Sequence, residues 1–333
     1  MSGPEEDRFD EFDWIEQDLK PLAEGAAEAL GLADDAAVVP GRPGFDLIIS
    51  KDAIVEGVHF LPDDPPDLVA RKLLRVNLSD LAAKGAEPYG YFLAVAWPGG
   101  ATRAARRAFA EGLKIDQAEY GLRLMGGDTV STPGPFMASL TILGWAPAGG
   151  MIRRGGARAG DVVLVSGTIG DGGLGLRAAQ GSLAGPAATD LAWLADRYRL
   201  PKPRLGLGPA LRASAHAAAD ISDGLIADAG RIAVTSGLAV EIDLARMPIS
   251  AAAGRWLEGQ PDRIAGLRDL ATAGDDYEIV CAAPSEAAAT LRSAARSLGF
   301  ELTEIGLVTE GAGIRVTCAG AAVTIERPGY RHA

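Results

Sequence analysis

Six aspartates, Asp35, Asp52, Asp80, Asp128, Asp220 and Asp223, stand in short segments where small residues surround a lone carboxylate rather than in runs of charge. Singly, each reads as a helix cap or a solvated surface group. Together they read as a converging set, and crowded carboxylates raise one another's pKa unless cations neutralise them. The chain has two cysteines and three histidines, so the available donors are hard oxygens. Such donors point to Mg²⁺ or Mn²⁺ rather than zinc. Magnesium favours a few carboxylates together with phosphate oxygens, which predicts a nucleotide or phosphoryl-transfer site.

The neighbours of these aspartates sharpen the chemistry. The β-branched run over 45–50 predicts a strand closed by Asp52. His59 follows seven residues later, an odd spacing that a straight strand would send to the opposite face. Glu56-Gly57 predicts a turn between them, making Asp52 and His59 two sides of one pocket. Asn77, Asp80 and Lys84 recur at i, i+3, i+7 and share one face of a helix predicted over 68–84. The plain alternative is a solvated stripe with a weak Asp80–Lys84 pair. Gly126-Gly127 before Asp128 would let backbone approach a ligand and leave the carboxylate at the end of a strand predicted over 122–125. In Asp220-Ile221-Ser222-Asp223, Ser222 or Asp223 is expected to cap a helix running to Val234; capping accounts for one of these residues, not all three.

Gly170, Gly172 and Gly175 satisfy G-x-G-x-x-G after a strand predicted over 161–165. A dinucleotide fold would need a second strand ending in an acidic residue about twenty positions on, and a loop at 180–186 stands there instead. The N–H groups opening the next helix remain candidates for a phosphate. Neither a G-x-x-x-x-G-K-[ST] loop nor the protein-kinase set occurs, so phosphates fall to metals, backbone amides and arginines such as Arg154.

The elements that must position these residues alternate along 333 residues. An amphipathic helix is predicted over 14–30, with Pro21 a weak point and Gly31 a stop. Further helices are predicted over 102–120, 210–216 and 287–298. Further strands are predicted over 91–96, 139–145, 239–244, 277–281, 304–308 and 313–317. The charged face of helix 102–120 reads as ordinary surface. Gly/Arg-rich 149–160 marks the boundary between an N-terminal domain over 14–148, preceded by an acidic mobile tail over 1–13, and a C-terminal domain over 149–333. Hydrophobic content of 48% and charged content of 23% are those of a globular protein. A net charge of −12 argues against a general nucleic-acid binder but not against phosphate ligands bridged by cations. The acidic N-terminal residues are not expected to form a signal peptide, and no apolar run is long enough to predict a membrane-crossing helix. Cys281 and Cys318 lie far from the acidic segments without zinc or disulfide spacing, and a cytoplasmic setting is expected.

The ordered set of motifs resembles the thiamine-monophosphate kinase family, within the superfamily that includes aminoimidazole ribonucleotide synthetase. The matching stretches are Ala33 to Ala37, Asp52 to Phe60, Val76 to Ala86, Gly126 to Thr129, Ser166 to Asp171, Asp220 to Leu225 and Gly274 to Glu278. They follow the family's order from residue 33 to residue 278. The resemblance implies a two-domain fold of the aminoimidazole ribonucleotide synthetase type: an N-terminal α/β domain whose sheet pairs across a homodimer, and a C-terminal α+β domain. It implies ATP-dependent phosphorylation of thiamine monophosphate to thiamine diphosphate, without membrane or nucleic-acid partners. Several Mg²⁺ ions would bridge ATP to Asp35, Ser50, Asp52, Asp80, Asp128, Asp220 and Asp223. Gly127, Asp128, Arg154 and Ser222 match nucleotide-contacting positions. His59 matches a substrate-contacting position, and Asp275 stands where the family often has a substrate-contacting Glu. Lys51 stands where a metal-binding Thr is common, and would supply charge or point outward while its carbonyl binds. Arg327 falls where an aromatic residue often stacks on the thiamine. The substrate phosphate is itself a nucleophile, so no catalytic base is expected. Two alternatives are another ATP-using enzyme of the superfamily and a non-catalytic nucleotide-binding protein. Selenophosphate synthetases would want an N-terminal reactive Cys and hydrogenase-maturation relatives a C-terminal one, and neither occurs here.

Overall fold

The computed structural model describes residues 11–331. Residues 1–10 of the expected acidic tail, and His332, lie outside the described residues. The chain forms two compact units, one of Met1–Leu78 and Glu87–Gly149, the other of Ser79–Ala86 and Gly150–Ala333.

In the first unit, α1 (Glu11–Trp14) leads into separate short turns, Ile15–Leu19, Lys20–Ala23 and Ala27–Leu32. The single helix expected over 14–30 is therefore broken. Pro21 removes a donor, and Leu30, Gly31 and Leu32 take φ of 49°, 69° and 55°. Trp14 is still buried, edge-on to Trp97 at 5.6 Å. Residues 33–44 carry no strand.

Next come β1 (Phe45–Val55), α2 (Pro66–Ala83, whose residues from Ser79 on belong to the second unit), β2 (Glu87–Pro98), α3 (Arg103–Tyr120), β3 (Leu124–Thr132) and β4 (Met137–Pro147). The strands form one sheet in the order β1-β4-β2-β3, antiparallel except for β2 beside β3. One face is buried by Ile48, Ile54, Tyr91, Leu93, Leu140 and Ile142. The two long helices lie against this face. Asn77 of α2 reaches β1, and Phe109 of α3 stands edge-on to Trp97 at 5.6 Å. Thr102 caps α3 by accepting the Ala105 N–H at 3.1 Å. The charged face of α3 is not simply solvated. Asp116 is wholly buried and accepts from Arg71 at 2.8 Å and Arg75 at 2.7 Å, the pairing a buried carboxylate requires. The opposite face of the sheet is open: Ile49 is 60%, Val130 49% and Met137 41% exposed.

The second unit adds β5 (Val162–Ser166), α4 (Asp171–Ala179), α5 (Ala188–Arg199), α6 (Gly208–Ser214), β6 (Ala217–Ile221), α7 (Leu225–Ser236) and β7 (Ala239–Asp243). It continues with α8 (Ala251–Glu258), α9 (Arg263–Thr272), β8 (Glu278–Ala283), α10 (Ala288–Ser297), β9 (Leu302–Thr309), β10 (Gly313–Cys318) and β11 (Ala321–Ala322). Its sheet runs β11-β10-β7-β9-β5-β8-β6. Val163, Val165, Ala219 and Val280 enter one apolar cluster; Val162, Leu164, Ala218 and Ile279 enter another. Alternate residues thus bury both faces, which is why β5, β6 and β8 read as continuous apolar runs. Among the described residues no helix is long and apolar enough to cross a membrane.

Candidate active site

In the first unit the site begins on β1. The strand does not stop before Asp52, as its β-branched start implied, but runs to Val55 in register with β4, Asp52 facing Leu140. Asp52 is a mid-strand residue. Its N–H donates to Asn77 Oδ1 at 3.1 Å, and its carbonyl accepts from Ser139 Oγ at 3.2 Å. Asn77 is 0% exposed and its Nδ2 donates to Leu73 O at 2.9 Å, so this amide is a latch between α2 and β1 and no part of a solvated stripe. Ser50 and Asp52 share the parity of the buried Ile48 and Ile54, whereas Lys51 is exposed on the other face. The turn expected at Glu56-Gly57 is present, with Gly57 at φ 78°. It folds His59 back on the strand: the Val55 N–H donates to His59 Nδ1 at 3.1 Å, and the His59 N–H donates to Val55 O at 2.9 Å. An accepting Nδ1 puts the ring proton on Nε2. Asp35 lies exposed in the irregular segment after the N-terminal turns.

Asp128 is also mid-strand. β3 runs from Leu124 to Thr132, with Gly127 beside Leu93 and Asp128 beside Ala94 of β2. A Cβ at Gly127 would stand 1.8 Å from Leu93 O, so the close approach this glycine permits is to the neighbouring strand. The aligned row Asp52–Leu140–Leu93–Gly127 crosses the whole sheet on its buried face. Asp128, one residue on, is exposed on the open face.

In the second unit, Asp80, Lys84, Arg154 and Asp220 form a charged group. Lys84 Nζ donates to Ala218 O at 2.9 Å, two residues before Asp220, which is 4% exposed. Burial and Arg154 hold the Lys84 ammonium below its ordinary pKa, while Asp220 and Asp80 oppose that shift. The Ala218 N–H donates to Arg153 O at 3.0 Å, tying the arginine segment to the same strand.

Ser222 and Asp223 do not cap α7. The caps come from within: Asp228, wholly buried, accepts the N–H groups of Ser222 and Asp223 at 3.0 Å and of Gly224 at 3.2 Å. Burial pushes its carboxyl up to about 6, against Arg231. Asp223 itself pairs with Arg231. Asp275 joins this loop through its N–H to Ser222 O at 2.9 Å. Asp275 and Tyr277 hold left-handed φ of 69° and 51°, costly conformations for residues other than glycine. Between them, Asp276 accepts the Gly170 N–H at 2.7 Å and the Gly172 N–H at 2.9 Å. The amides opening α4, expected to be available to a phosphate, are thus engaged by a buried carboxylate. Arg327 is exposed; three residues on, the Tyr330 N–H donates to Asp223 O at 2.9 Å, bringing an aromatic ring to the loop. Sequence reasoning passed over Lys84 as a site residue, Asp228 and Tyr330.

Among the described residues no three His, Cys, Asp or Glu side chains stand close enough to hold a metal ion. The donors still fit Mg²⁺, which takes one or two carboxylates and completes its shell with water and phosphate oxygens. Buried polar atoms lacking a partner adjoin these positions: Ser79 Oγ beside Asp80, Thr129 Oγ1 beside Asp128, and Arg154 Nε. An open hollow of ≈ 570 Å³ lined by Arg42, Phe45, Asp46 and Trp145 contains none of the expected site residues.

Known proteins share this architecture. Residues 33–146 match the family described as AIR synthase related protein, N-terminal domain, and residues 158–319 match its C-terminal domain. The chain is 53% identical over 322 residues to the thiamine-monophosphate kinase of Caulobacter vibrioides, covering 97% of this chain and 90% of that one. A crystal structure of thiamine-monophosphate kinase from Stenotrophomonas maltophilia K279a superposes with TM-score 0.82 at 36% identity, covering 94% and 98% of the two chains. A structure of AaThiL complexed with AMPPCP and TMP superposes with TM-score 0.78 at 28% identity, covering 100% and 99%.

Proposed function

Because the chain belongs to the thiamine-monophosphate kinases of the AIR synthase related family, we propose that it phosphorylates thiamine monophosphate with ATP to give thiamine diphosphate. The observation that carries this reading is 53% identity sustained over 97% of the chain, across both units. The solved relative complexed with AMPPCP and TMP adds an ATP analogue and the acceptor.

The acceptor is already an oxyanion. One of its phosphate oxygens attacks the γ-phosphorus of ATP, the bond from that phosphorus to the β,γ-bridging oxygen breaks, and ADP leaves. Nothing in this step needs a base; the rate comes from alignment and charge neutralisation. His59 fits a holder rather than a base, because its Nδ1 already accepts from Val55 and Nε2 carries a proton to donate. Gly127, Arg154 and Ser222 contact the nucleotide in this reading. Mg²⁺ would be held by Asp35, Ser50, Asp52 and Asp128 in the first unit and by Asp80, Asp220 and Asp223 in the second, and supplies neutralising charge to the phosphates. Lys51 faces away from Ser50 and Asp52, so only its carbonyl joins them. Asp275 is suited to the cationic thiazolium ring of thiamine. We assign the aromatic contact to Tyr330, 48% exposed beside Asp223, in place of Arg327.

A homodimer belongs to the same reading. Asp52 and Asp128 lie on opposite faces of one sheet and on its two edge strands, about 14 Å apart at the usual strand spacing. One chain cannot bring both to one ion, whereas Asp128 of a second copy can come to Asp52 on the face that Asp52 occupies. A cytoplasmic setting accords with Cys281 and Cys318 as free thiols. The direct test incubates purified protein with ATP, Mg²⁺ and thiamine monophosphate and separates the products. Thiamine diphosphate and ADP in equal amounts are expected; ATP binding without either product would overturn the proposal.

A further inference from the structure

We propose that Lys84 is the built-in cation of the Asp80–Asp220 pair, a positioning residue that keeps this pair from taking a divalent cation before nucleotide arrives. The inference rests on the metal roles assigned above to Asp80 and Asp220. Lys84 follows the end of α2, one helical turn beyond Asp80. Its ammonium is not a solvated tip. It donates to Ala218 O at 2.9 Å, and Ala218 opens the run to the nearly buried Asp220.

Three backbone segments converge there. The Ile152 N–H donates to Lys84 O at 3.2 Å, the Ala218 N–H donates to Arg153 O at 3.0 Å, and Lys84 Nζ closes the ring on Ala218 O. The backbone bonds fix where Lys84 leaves the chain, and the Nζ bond to Ala218 O sets where its ammonium sits, at the junction that also carries Arg154. Both carboxylates act electrostatically on its charge, and Arg154 is the cation that opposes it.

A fixed positive charge among two carboxylates has two consequences. It relieves their repulsion when no metal is present, so the pair is held ready. It also repels an incoming divalent cation, so free Mg²⁺ binds weakly and enters with the polyphosphate, whose negative charge outweighs one ammonium. A merely structural lysine, pinning α2 to β6, would do neither.

The experiment compares wild type with K84M and K84R, binding Mn²⁺ without nucleotide by electron paramagnetic resonance and following thermal unfolding with and without Mg²⁺. K84M is expected to bind Mn²⁺ about tenfold more tightly. It should unfold at lower temperature than wild type without metal and regain most of that loss in saturating Mg²⁺. K84R keeps the charge and is expected to match wild type in Mn²⁺ affinity. Mn²⁺ affinity of K84M within twofold of wild type overturns the proposal, as does a K84M chain that stays unfolded with and without Mg²⁺. D220N serves as the separate control: if it binds Mn²⁺ as wild type does, the metal role of Asp220 fails, whatever K84M shows.

Discussion

Asp228 shows how one buried side chain sets the geometry of others. Three consecutive N–H groups converge on its Oδ2, so Ser222, Asp223 and Gly224 turn about it, and Asp223 is left to pair with Arg231. Burial raises this carboxyl from 3.8 to about 6. The folded chain therefore keeps the proton to higher pH than the unfolded chain does. The stabilising contribution is complete below the unfolded value near 3.8 and is lost as pH rises through about 6. For a shift of this size the loss is on the order of 2–3 kcal/mol. Urea unfolding of the metal-free protein at intervals from pH 4 to 7 should show wild type losing stability relative to D228N across that window. Parallel curves would mean that Arg231 and the three donors keep Asp228 ionised throughout.

At the scale of elements, legibility followed the range of the interactions. α2 was readable over 68–84 because its apolar residues recur at helical spacing, and the Gly57 turn because one glycine suffices to make it. The last five residues of β1 were not readable. Lys51-Asp52-Ala53 interrupts the β-branched run, and the strand persists only because Met137–Pro147, some ninety residues away, pairs with it. The same non-local pairing carries β3 past Gly126-Gly127. α5, α8 and α9 were not readable, and only Ser250 and Asp262, capping the last two, marked them locally. The carboxylates were found in sequence, but which face each occupies is a matter of register. The β2–β3 contact at Gly127 is testable. In G127A the new methyl meets Leu93 O and its carbonyl carbon, at 1.8 and 2.8 Å in the present backbone, so the strands must part. Such overpacking costs about 1–3 kcal/mol. Thermal unfolding should fall by several degrees, whereas G134A, whose methyl would come no nearer than 3.4 Å to Thr132 Oγ1, should leave it unchanged. Equal behaviour of the two would refute the close approach.

At the scale of the molecule, the proposed homodimer rests on the sheet of the first unit. β1 and β3 are its two edges, and Asp52 and Asp128 face opposite sides. Twist rotates neighbouring strands but does not carry a side chain through the sheet. Two carboxylates so placed serve one ion only if they come from different copies, and a two-fold axis then builds two such sites. D52N and D128N homodimers should each lose turnover by orders of magnitude while remaining folded. Mixed under conditions that exchange subunits, they form heterodimers in which one site carries both lesions and the other carries none. Random exchange puts about half the chains in heterodimers, each with one intact site, so roughly a quarter of wild-type turnover returns. If instead Asp52 and Asp128 served the same ion within one chain, every site in every mixture would carry a lesion, and no activity would return at any ratio.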